Sequence, residues 1–266
     1  MKITKQGKFT SGQKTRMMTN ENRLLLNYND ACIYESDLEL IRNPNGWLNS
    51  SCIHFQMNRL QSKYETINNV CDNDSTGAKD IYMDPSVVSF FVQYCHDEKD
   101  MRDFCKSFRK CYRAFFPVNS AFAENDNFTD VGGGSHWSLL VMVKFTSHSK
   151  EMQSFFHFDS LNGMNSNAAS SLAFKLNKAM SVVNQGHEKV SYSFQNCKTP
   201  QQPNGNDCGI YLLSSAEDIG QLHYLSDIEP EDLKAEYENV LSSTKPNMLR
   251  QSMVKDILNL AKSFGK

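Results

Sequence analysis

Two apolar runs separated by a short polar segment constrain the fold of this chain more than any other feature. Residues 137–145, WSLLVMVKF, form a near-continuous apolar run with the length of one strand, and such runs are typical of strands buried on both faces. Residues 152–159, MQSFFHFD, are rich in aromatic residues and predict a second strand. The intervening TSHSKE is short enough for an antiparallel hairpin.

The register of this hairpin brings a histidine and an aspartate together. A turn centred on Ser147 and His148 pairs residues whose numbers sum to about 295, and His136 and Asp159 satisfy this condition. Directly opposed residues have Cβ atoms about 4.5–5.5 Å apart, within reach of a hydrogen bond between a carboxylate and an imidazole. Such a carboxylate fixes the tautomer of the imidazole and stabilises its protonated form. The sequence therefore predicts a His136–Asp159 pair at one edge of the sheet.

A cysteine between turn residues and an apolar run is the candidate nucleophile for this pair. The segment NGND (204–207) has the composition of a turn, and Cys208 is followed by apolar residues at helical spacing. Cys208 is thus expected at a helix N-terminus, where the positive end of the helix dipole favours a thiolate. A neighbouring imidazolium favours it further, and Gly209 permits close backbone approach beside the thiol.

Other residues compete for these roles. His157 is a second candidate base, because it shares the strand face of Asp159, and Asp207 is a second candidate carboxylate. Each candidate also has an ordinary structural explanation. A free cysteine is most often a small buried residue, a histidine at a strand edge is usually a surface or satisfied polar group, and Asp159 is placed to begin a turn.

Size, charge and cysteine usage narrow the classes of protein. A chain of 266 residues can bury a sizeable core without disulfides, and a net charge of −2 gives no reason to expect a nucleic-acid or membrane partner. The eight cysteines show no CxxC pair, and neither a signal peptide nor an apolar run of membrane-spanning length is present. We therefore expect reduced thiols in a cytoplasmic or nuclear protein. A zinc site on Cys95, His96, Cys105 and Cys111 is an alternative that matches no common ligand spacing.

Hydrophobic spacing predicts one folded domain of mixed type. Residues 1–20 carry basic but no acidic side chains, so a disordered basic tail is expected, and residues 21–266 are expected to form a single α+β domain. Asp84 and Pro85 have the pattern of an N-cap followed by proline at the first helical position. Further helices are predicted over 47–60, 166–183, 230–242 and 247–264 and after Cys208. Further strands are predicted over 108–118, ending at Pro117, and over 189–194. Loops are predicted over 68–80 and 119–135.

Three segments resemble the catalytic blocks of the Ulp/sentrin-specific cysteine proteases, and most closely those of the deneddylase branch. They are GGGSHWSLLVMV (132–143), FFHFDSLNG (155–163) and PQQPNGNDCGIYLL (200–213). The order His, Asp, Cys matches that family and differs from papain. The resemblance covers roughly residues 24–260. It implies a papain-like α+β fold of the Ulp type, a mixed central sheet flanked by helices, and cleavage after the C-terminal Gly-Gly of a ubiquitin-like modifier.

The resemblance also implies a role for each matched residue. Cys208 matches the nucleophile, His136 the general base, Asp159 the residue that orients it, and Gln202 the oxyanion-hole glutamine, with Gln201 as the adjacent alternative. The glycines at 132–134 resemble hinges of a loop that closes over substrate. Ser50 stands where the family's Trp-Leu-Asn-Asp block has its aspartate, which leaves modifier affinity and preference open. The residues expected to contact the modifier are Trp47, Ser50, Trp137, Gly133 and Gly134.

The function expected from these residues is deneddylation together with processing of the modifier precursor. A protease for SUMO or ubiquitin is the alternative within the same fold, and an acetyltransferase of the bacterial effector type shares the order of the residues. A non-catalytic binder of a ubiquitin-like protein is the alternative from another class. The expected partners are the modifier and its conjugates, with no metal or organic cofactor, and the chain is expected to be a monomer.

Overall fold

Helices and strands alternate irregularly along the chain. The structure, a computed structural model, describes residues 22–71, 79–106, 111–123, 134–147, 150–183, 191–222, 229–243 and 245–264. The strands are β1 (Leu24–Tyr28), β2 (Ala31–Tyr34), β3 (Lys79–Tyr82), β4 (Cys111–Asn119), β5 (Trp137–Ser147), β6 (Lys150–Phe158) and β7 (Ser191–Cys197). The helices are α1 (Glu35–Arg42), α2 (Ser50–Cys71), α3 (Pro85–Tyr94), α4 (Glu98–Lys106), α5 (Ser166–Val183), α6 (Cys208–Gly220), α7 (Pro230–Val240) and α8 (Pro246–Phe264), with a short 3-10 helix at Ser120–Ala123.

Five strands form a mixed sheet in the order β3-β4-β5-β6-β7. The outer pairs β3–β4 and β6–β7 are parallel, and the three central strands run antiparallel. Alternate residues of the central strands enter two hydrophobic clusters, one on each face: Val141 and Phe156 on one side, Met142 and Phe155 on the other. Burial on both faces explains the near-continuous apolar run of β5.

The helices cover both faces of this sheet. Buried residues of α1, α2, α6, α7 and α8 pack in one cluster, and those of α3, α4 and α5 pack in the other. The α+β class with a mixed sheet between helices is thereby confirmed. The predicted helices after Pro85 and Cys208, over 166–183 and near the C-terminus are all present.

Local sequence explains where several elements begin and end. Asp84 caps α3 by accepting a hydrogen bond from the Ser86 N–H at 2.7 Å, with Pro85 at the first helical position. Helix α2 runs to Cys71, so the loop predicted from residue 68 begins too early. The 22 residues of α2 contain neither glycine nor proline to end the helix sooner.

The strand predicted to end at Pro117 continues to Asn119. Pairing of β3 with β4 stops at Phe115, so Pro117 lies where β4 has the neighbour β5 on one side only. A proline is tolerated there because its missing N–H costs no hydrogen bond between central strands. The prediction was wrong because proline interrupts a strand only where its N–H would bond a neighbouring strand, and position 117 faces the side on which pairing with β3 has already ended.

The hairpin of β5 and β6 has a different register from the predicted one. Its pairs run from Leu139 with Phe158 to Ser147 with Lys150, so the numbers sum to 297 rather than about 295. A short connection lets pairing continue toward the turn beyond the predicted strand ends. Because side chains alternate with a period of two, a shift of two residues leaves every side chain on its predicted face.

A buried ion pair supports the far end of α6. Arg113 and Asp80 are almost fully buried, and the Arg113 Nε donates to Asp80 Oδ1 at 2.8 Å. The same guanidinium donates to the main-chain oxygens of Ile219, at 3.0 Å, and Leu222, at 2.9 Å. Arg113 therefore satisfies one carbonyl in the last turn of α6 and one just after the helix.

Replacing Arg113 by methionine is expected to lower the free energy of unfolding by about 3–5 kcal/mol, because Asp80 is left buried and unpaired. Urea denaturation followed by circular dichroism measures the change. The double variant Arg113→Met/Asp80→Leu is expected to recover much of the loss, since no lone charge remains. A loss below about 1 kcal/mol in the single variant contradicts the assignment.

Candidate active site

The segment before β5 is held by the end of β4. The Ser120 Oγ accepts hydrogen bonds from the N–H groups of Ser135, at 2.9 Å, and His136, at 3.2 Å, and the Ser120 N–H donates to the His136 oxygen at 3.0 Å. Gly134 packs so closely on Asn119 that a Cβ there would lie 1.3 Å from Asn119 Oδ1. Only glycine at position 134 allows the main chain before β5 to lie this close to Asn119 at the end of β4. Gly132 and Gly133 lie outside the described residues.

His136 and Asp159 are brought together as predicted. The His136 Nε2 lies 2.6 Å from Asp159 Oδ1, and both side chains are almost fully buried. The shifted register makes the two residues diagonal neighbours rather than directly opposed, and the long imidazole spans the extra distance. The contact was predicted correctly because the period of two placed both side chains on one face.

The Asp159 carboxylate is fully used. Besides His136, it accepts hydrogen bonds from the main-chain N–H groups of Leu161, to Oδ1 at 2.8 Å, and Asn165, to Oδ2 at 2.8 Å. Burial by itself raises the pKa of Asp159, but the hydrogen bonds from His136, Asn165 and Leu161 outweigh burial and hold the pKa below its ordinary value. The group is therefore a carboxylate at neutral pH.

Cys208 is the first residue of α6 and is 2% exposed. The polar turn ahead of it and the buried residues after it place the thiol at the positive end of the helix. A Cβ on Gly209 would lie 3.0 Å from Leu48 Cβ and 3.1 Å from Ile53 Cδ1. Glycine therefore lets α6 pack closely on the segment that leads into α2.

The remaining ring nitrogen of His136 is unpaired in the described part of the chain, and Cys208 influences this imidazole. Nδ1 is buried and has no hydrogen-bond partner among the described residues. Burial by itself lowers the pKa of His136, but the interactions with Asp159 and with Cys208 outweigh burial and raise the pKa to about 9. The Cys208 thiol therefore lies close enough to act on the imidazole, and the pair is suited to a thiolate and an imidazolium.

The competing residues are engaged elsewhere. His157 Nδ1 lies 2.8 Å from Asn196 Oδ1 and its Nε2 lies 2.9 Å from Ser138 Oγ, and burial lowers the pKa of His157. Asp207 is paired with Arg250, whose Nη2 lies 2.6 Å from Asp207 Oδ1. Among the described residues, Asp159 is therefore bonded to His136 and not to His157, and Asp207 is not the carboxylate of the pair.

The two adjacent glutamines have different surroundings. The Gln201 Nε2 donates to the main-chain oxygens of Asp159, at 3.0 Å, and Thr199, at 2.9 Å, so both of its N–H groups are used. The Gln202 Nε2 donates one hydrogen bond within the described part of the chain, to Asn204 O at 2.6 Å, and Ser160 Oγ donates to Gln202 Oε1 at 2.7 Å. The second N–H of Gln202 is left for another acceptor, which favours Gln202 over Gln201 as an oxyanion donor.

Two tryptophans are associated with the segment before α2: Trp47 belongs to it, and Trp137, the first residue of β5, is hydrogen-bonded to it. Trp137 is 8% exposed and donates its Nε1–H to Leu48 O at 3.0 Å, whereas Trp47 is 49% exposed. Ser50 is the exposed first residue of α2, and its neighbour Asn49 accepts the Cys52 N–H at 3.0 Å. The structure thus ties Trp137, next to His136, to the segment that carries Trp47 and Ser50.

An arginine from the C-terminal helix joins this segment to the turn before Cys208. Besides Asp207, the Arg250 Nη2 donates to Gly46 O at 2.7 Å, and Asn206 Nδ2 donates to Pro44 O at 2.8 Å. Sequence reasoning missed Arg250, because its partners lie more than 40 residues away. It also missed Asn165 and Ser120, although an asparagine just before a helical run is a recognisable boundary signal.

No metal site accompanies this arrangement in the part of the chain that the structure describes, where no group of three or more His, Cys, Asp and Glu side chains could hold an ion. For the zinc alternative, burial raises the pKa of Cys105 to about 12 and that of Cys111 to about 11, as expected for thiols in an apolar core. None of the described helices is long and apolar enough to cross a membrane.

The geometry defines a cysteine protease class, with a thiol at a helix N-terminus, an imidazole and a buried carboxylate in the order His, Asp, Cys. A family model described as the Ulp1 protease family, C-terminal catalytic domain, matches residues 46–258. The chain belongs to this family and is a cysteine protease, which confirms the resemblance seen in the sequence.

Relatives and solved structures agree with this assignment. A probable sentrin-specific protease 8 from Dictyostelium discoideum is 31% identical over 85% of this chain and 88% of the relative. A NEDD8-specific protease 1 from Arabidopsis thaliana is 32% identical over 76% of this chain and 77% of the relative. A crystal structure of a de-sumoylating protease shares the fold with a TM-score of 0.62 at 13% identity, covering 88% of each chain. The Ulp1 protease domain in complex with SMT3, the yeast orthologue of SUMO, has a TM-score of 0.54 at 22% identity, covering 92% of this chain and 90% of that one.

Proposed function

We propose that this protein is a thiol isopeptidase and endopeptidase that cleaves after the C-terminal Gly-Gly of a ubiquitin-like modifier, and that its modifier is NEDD8. The observation that carries the chemistry is the His136–Asp159 hydrogen bond of 2.6 Å, which leaves Nδ1 of His136 without a partner among the described residues. Similarity to the NEDD8-specific protease 1 of Arabidopsis thaliana, at 32% identity, supports this choice of modifier.

The first half of the reaction forms an acyl-enzyme. The Cys208 thiolate attacks the carbonyl carbon of the modifier's last glycine, and the carbonyl oxygen becomes an oxyanion. The free N–H of Gln202 and the Cys208 main-chain N–H, which has no acceptor within its helix, stabilise that oxyanion. The C–N bond then breaks as His136 donates its proton to the departing amine, leaving a thioester on Cys208.

The second half of the reaction restores the enzyme. Neutral His136 takes a proton from water, and the resulting hydroxide attacks the thioester carbonyl. The tetrahedral intermediate expels the Cys208 thiolate, which again faces an imidazolium. Asp159 keeps the tautomer of His136 fixed through both halves.

The surroundings of Cys208 suit a tail without side chains. The thiol is almost fully buried, the buried Trp137 is hydrogen-bonded to Leu48 O, and Gly209 lies against Leu48. An extended Gly-Gly segment can approach such a thiol, whereas larger side chains are excluded. Trp47, Ser50, Trp137, Gly133 and Gly134 remain our proposed contacts for this tail.

A SUMO protease is the second candidate, supported by the similarity in fold to the Ulp1 domain in complex with SMT3. A non-catalytic binder does not need the intact set of Cys208, His136, Asp159 and Gln202. A cytoplasmic or nuclear location stays a prediction.

A modifier panel tests the proposal. The rate of release of a fluorescent amine from the C-terminus of NEDD8, SUMO and ubiquitin is measured with the full chain. We expect kcat/KM to be highest for NEDD8. Turnover of SUMO or ubiquitin alone contradicts the proposed modifier, and binding of a modifier without turnover supports the binding-module alternative.

The raised pKa of His136 predicts an alkaline limit to activity. The imidazolium needed to protonate the leaving amine is lost as the pH rises through about 9, so kcat/KM should fall about tenfold per pH unit above that value. The stability that this protonated group contributes is complete below pH 6.5 and is also lost as the pH rises through about 9. A pH–rate profile without a limb near pH 9 contradicts the proposed role of His136.

Restoring a carboxylate at the start of α2 is expected to strengthen modifier binding. Ser50→Asp supplies the charge that the family pattern has there, and the first turn of α2 contains no acidic residue, so the helix N-terminus favours it. We expect KM to fall about two- to tenfold with kcat unchanged. Ser50→Asn is the matched uncharged control. An increase in KM for Ser50→Asp contradicts this account of the tail contacts.

A further inference from the structure

An asparagine just before α5 is bonded to both members of the His–Asp pair. Asn165 is 1% exposed. Its main-chain N–H donates to Asp159 Oδ2 at 2.8 Å, and its side-chain Nδ2 lies 3.2 Å from the main-chain oxygen of His136. Asn165 is therefore hydrogen-bonded directly to the Asp159 carboxylate. It is linked to the imidazole of His136 only through the main-chain oxygen of His136.

The strand ladder does not itself fix this contact. Pairing between β5 and β6 ends at Leu139 with Phe158, so His136 and Asp159 both lie beyond the last pair. Asn165 bridges the gap, because its Nδ2 also lies 3.3 Å from Val118 O, on β4, and 3.1 Å from Ser138 Oγ, on β5. Asn165 thereby links α5, β4 and β5 at the edge that carries the pair.

A chain of hydrogen bonds connects Asn165, through Ser138, to a second histidine, His157. Burial lowers the pKa of His157, so this ring is neutral at neutral pH, with one donor and one acceptor nitrogen. The Nδ1–H donates to Asn196 Oδ1 and the Nε2 accepts from Ser138 Oγ–H. The Ser138 oxygen then accepts from Asn165, so the orientation of the Asn165 amide is set by the network around it.

We propose that Asn165 is a positioning residue for the reaction, which holds the backbone of His136 and the carboxylate of Asp159 so that the imidazole is aimed at Cys208. The inference rests on the proposed function. A misplacement of about 1 Å in such an arrangement can lower the rate about 10²-fold. Asn165→Leu keeps the approximate shape of the side chain and removes both donors. Asn165→Ser keeps a single shorter donor.

The experiment has two readouts that a merely structural role would leave unchanged. The first is kcat and KM for release of the fluorescent amine from the modifier that is turned over best. The second is the rate of alkylation of Cys208 by iodoacetamide between pH 5 and pH 10, followed for the peptide that contains Cys208 by mass spectrometry. Asn177, also on α5, provides the matched control Asn177→Leu. Urea denaturation establishes the folded fraction of each variant.

For Asn165→Leu we expect kcat to fall about 10- to 100-fold, with KM changed less than about threefold, and the rate of Cys208 alkylation at pH 7 to fall with kcat. Asn165→Ser should lie between this variant and the unmodified protein, and Asn177→Leu should match the unmodified protein. Folded Asn165→Leu with normal kcat and a normal alkylation rate overturns the positioning role alone. An unmodified protein that binds a modifier but turns none over overturns the proposed function instead.

Discussion

Cys208→Ala is expected to lower the turnover of a modifier conjugate by at least about 10⁴-fold, because no other group can form the acyl-enzyme. The side chain is small and buried at the first residue of α6, so the variant should fold and still bind the modifier. Turnover is measured with the C-terminal amide substrate, and binding by titration calorimetry.

The matched control for this variant is Cys32→Ser, which changes a half-buried cysteine on β2, remote from the pair. It should retain normal turnover. Turnover of Cys208→Ala within about tenfold of the unmodified protein would contradict the nucleophile assignment, as would loss of activity in the Cys32 variant alone.

Asp159→Asn is expected to lower kcat by about 10³–10⁴-fold with little change in KM. The amide can offer an N–H where the carboxylate accepted one, which favours the wrong tautomer of His136. The carboxylate also opposes the effect of burial on the pKa of His136, so the alkaline limb of the remaining activity should move to lower pH. Steady-state kinetics across the pH range measure both effects.

Asp256→Asn serves as the control for the aspartate variant, since Asp256 forms a partly exposed ion pair with Arg59. Exposed pairs contribute about 1 kcal/mol or less to stability, and this one lies outside the site. An Asp159→Asn enzyme that keeps kcat within tenfold of the unmodified protein would show that the carboxylate does not orient His136.

The His136–Asp159 contact was predictable because it depends on local periodicity. A hairpin between two apolar runs fixes which side chains share a face. An error of two residues in the register leaves each side chain on the same face. The position of Cys208, the proposed nucleophile, was predictable for a related reason. Turn residues followed by an apolar helical run locate a helix N-terminus, and α6 does begin at Cys208.

Contacts between distant segments were not predictable in this way. Arg250 contacts Gly46 and Asp207 only because α8 packs beside α1 and the turn before α6, and no local pattern encodes that packing. Asn165 is similar, since its partners lie on β4 and β5. The side chains that hold the site together therefore emerge from the assembled fold.

The β1–β2 hairpin was missed for a local reason. Asn29 and Asp30 have φ values of 46° and 67°, the left-handed geometry of a tight hairpin turn. Asparagine and aspartate tolerate this geometry, but the usual sequence signal is an asparagine or aspartate followed by glycine. A hairpin with Asp30 in place of that glycine carries a weaker signal.

The most direct test of the central claim is to locate the covalent bond between enzyme and modifier. The full chain is incubated at pH 7 with NEDD8 that bears an electrophile in place of its C-terminal carboxylate, digested, and mapped by mass spectrometry. We predict a single adduct, on the peptide that contains Cys208, which is lost in Cys208→Ala and forms more slowly in Asp159→Asn. An adduct on any of the other seven cysteines, or one that forms at the same rate in Asp159→Asn, would contradict the account.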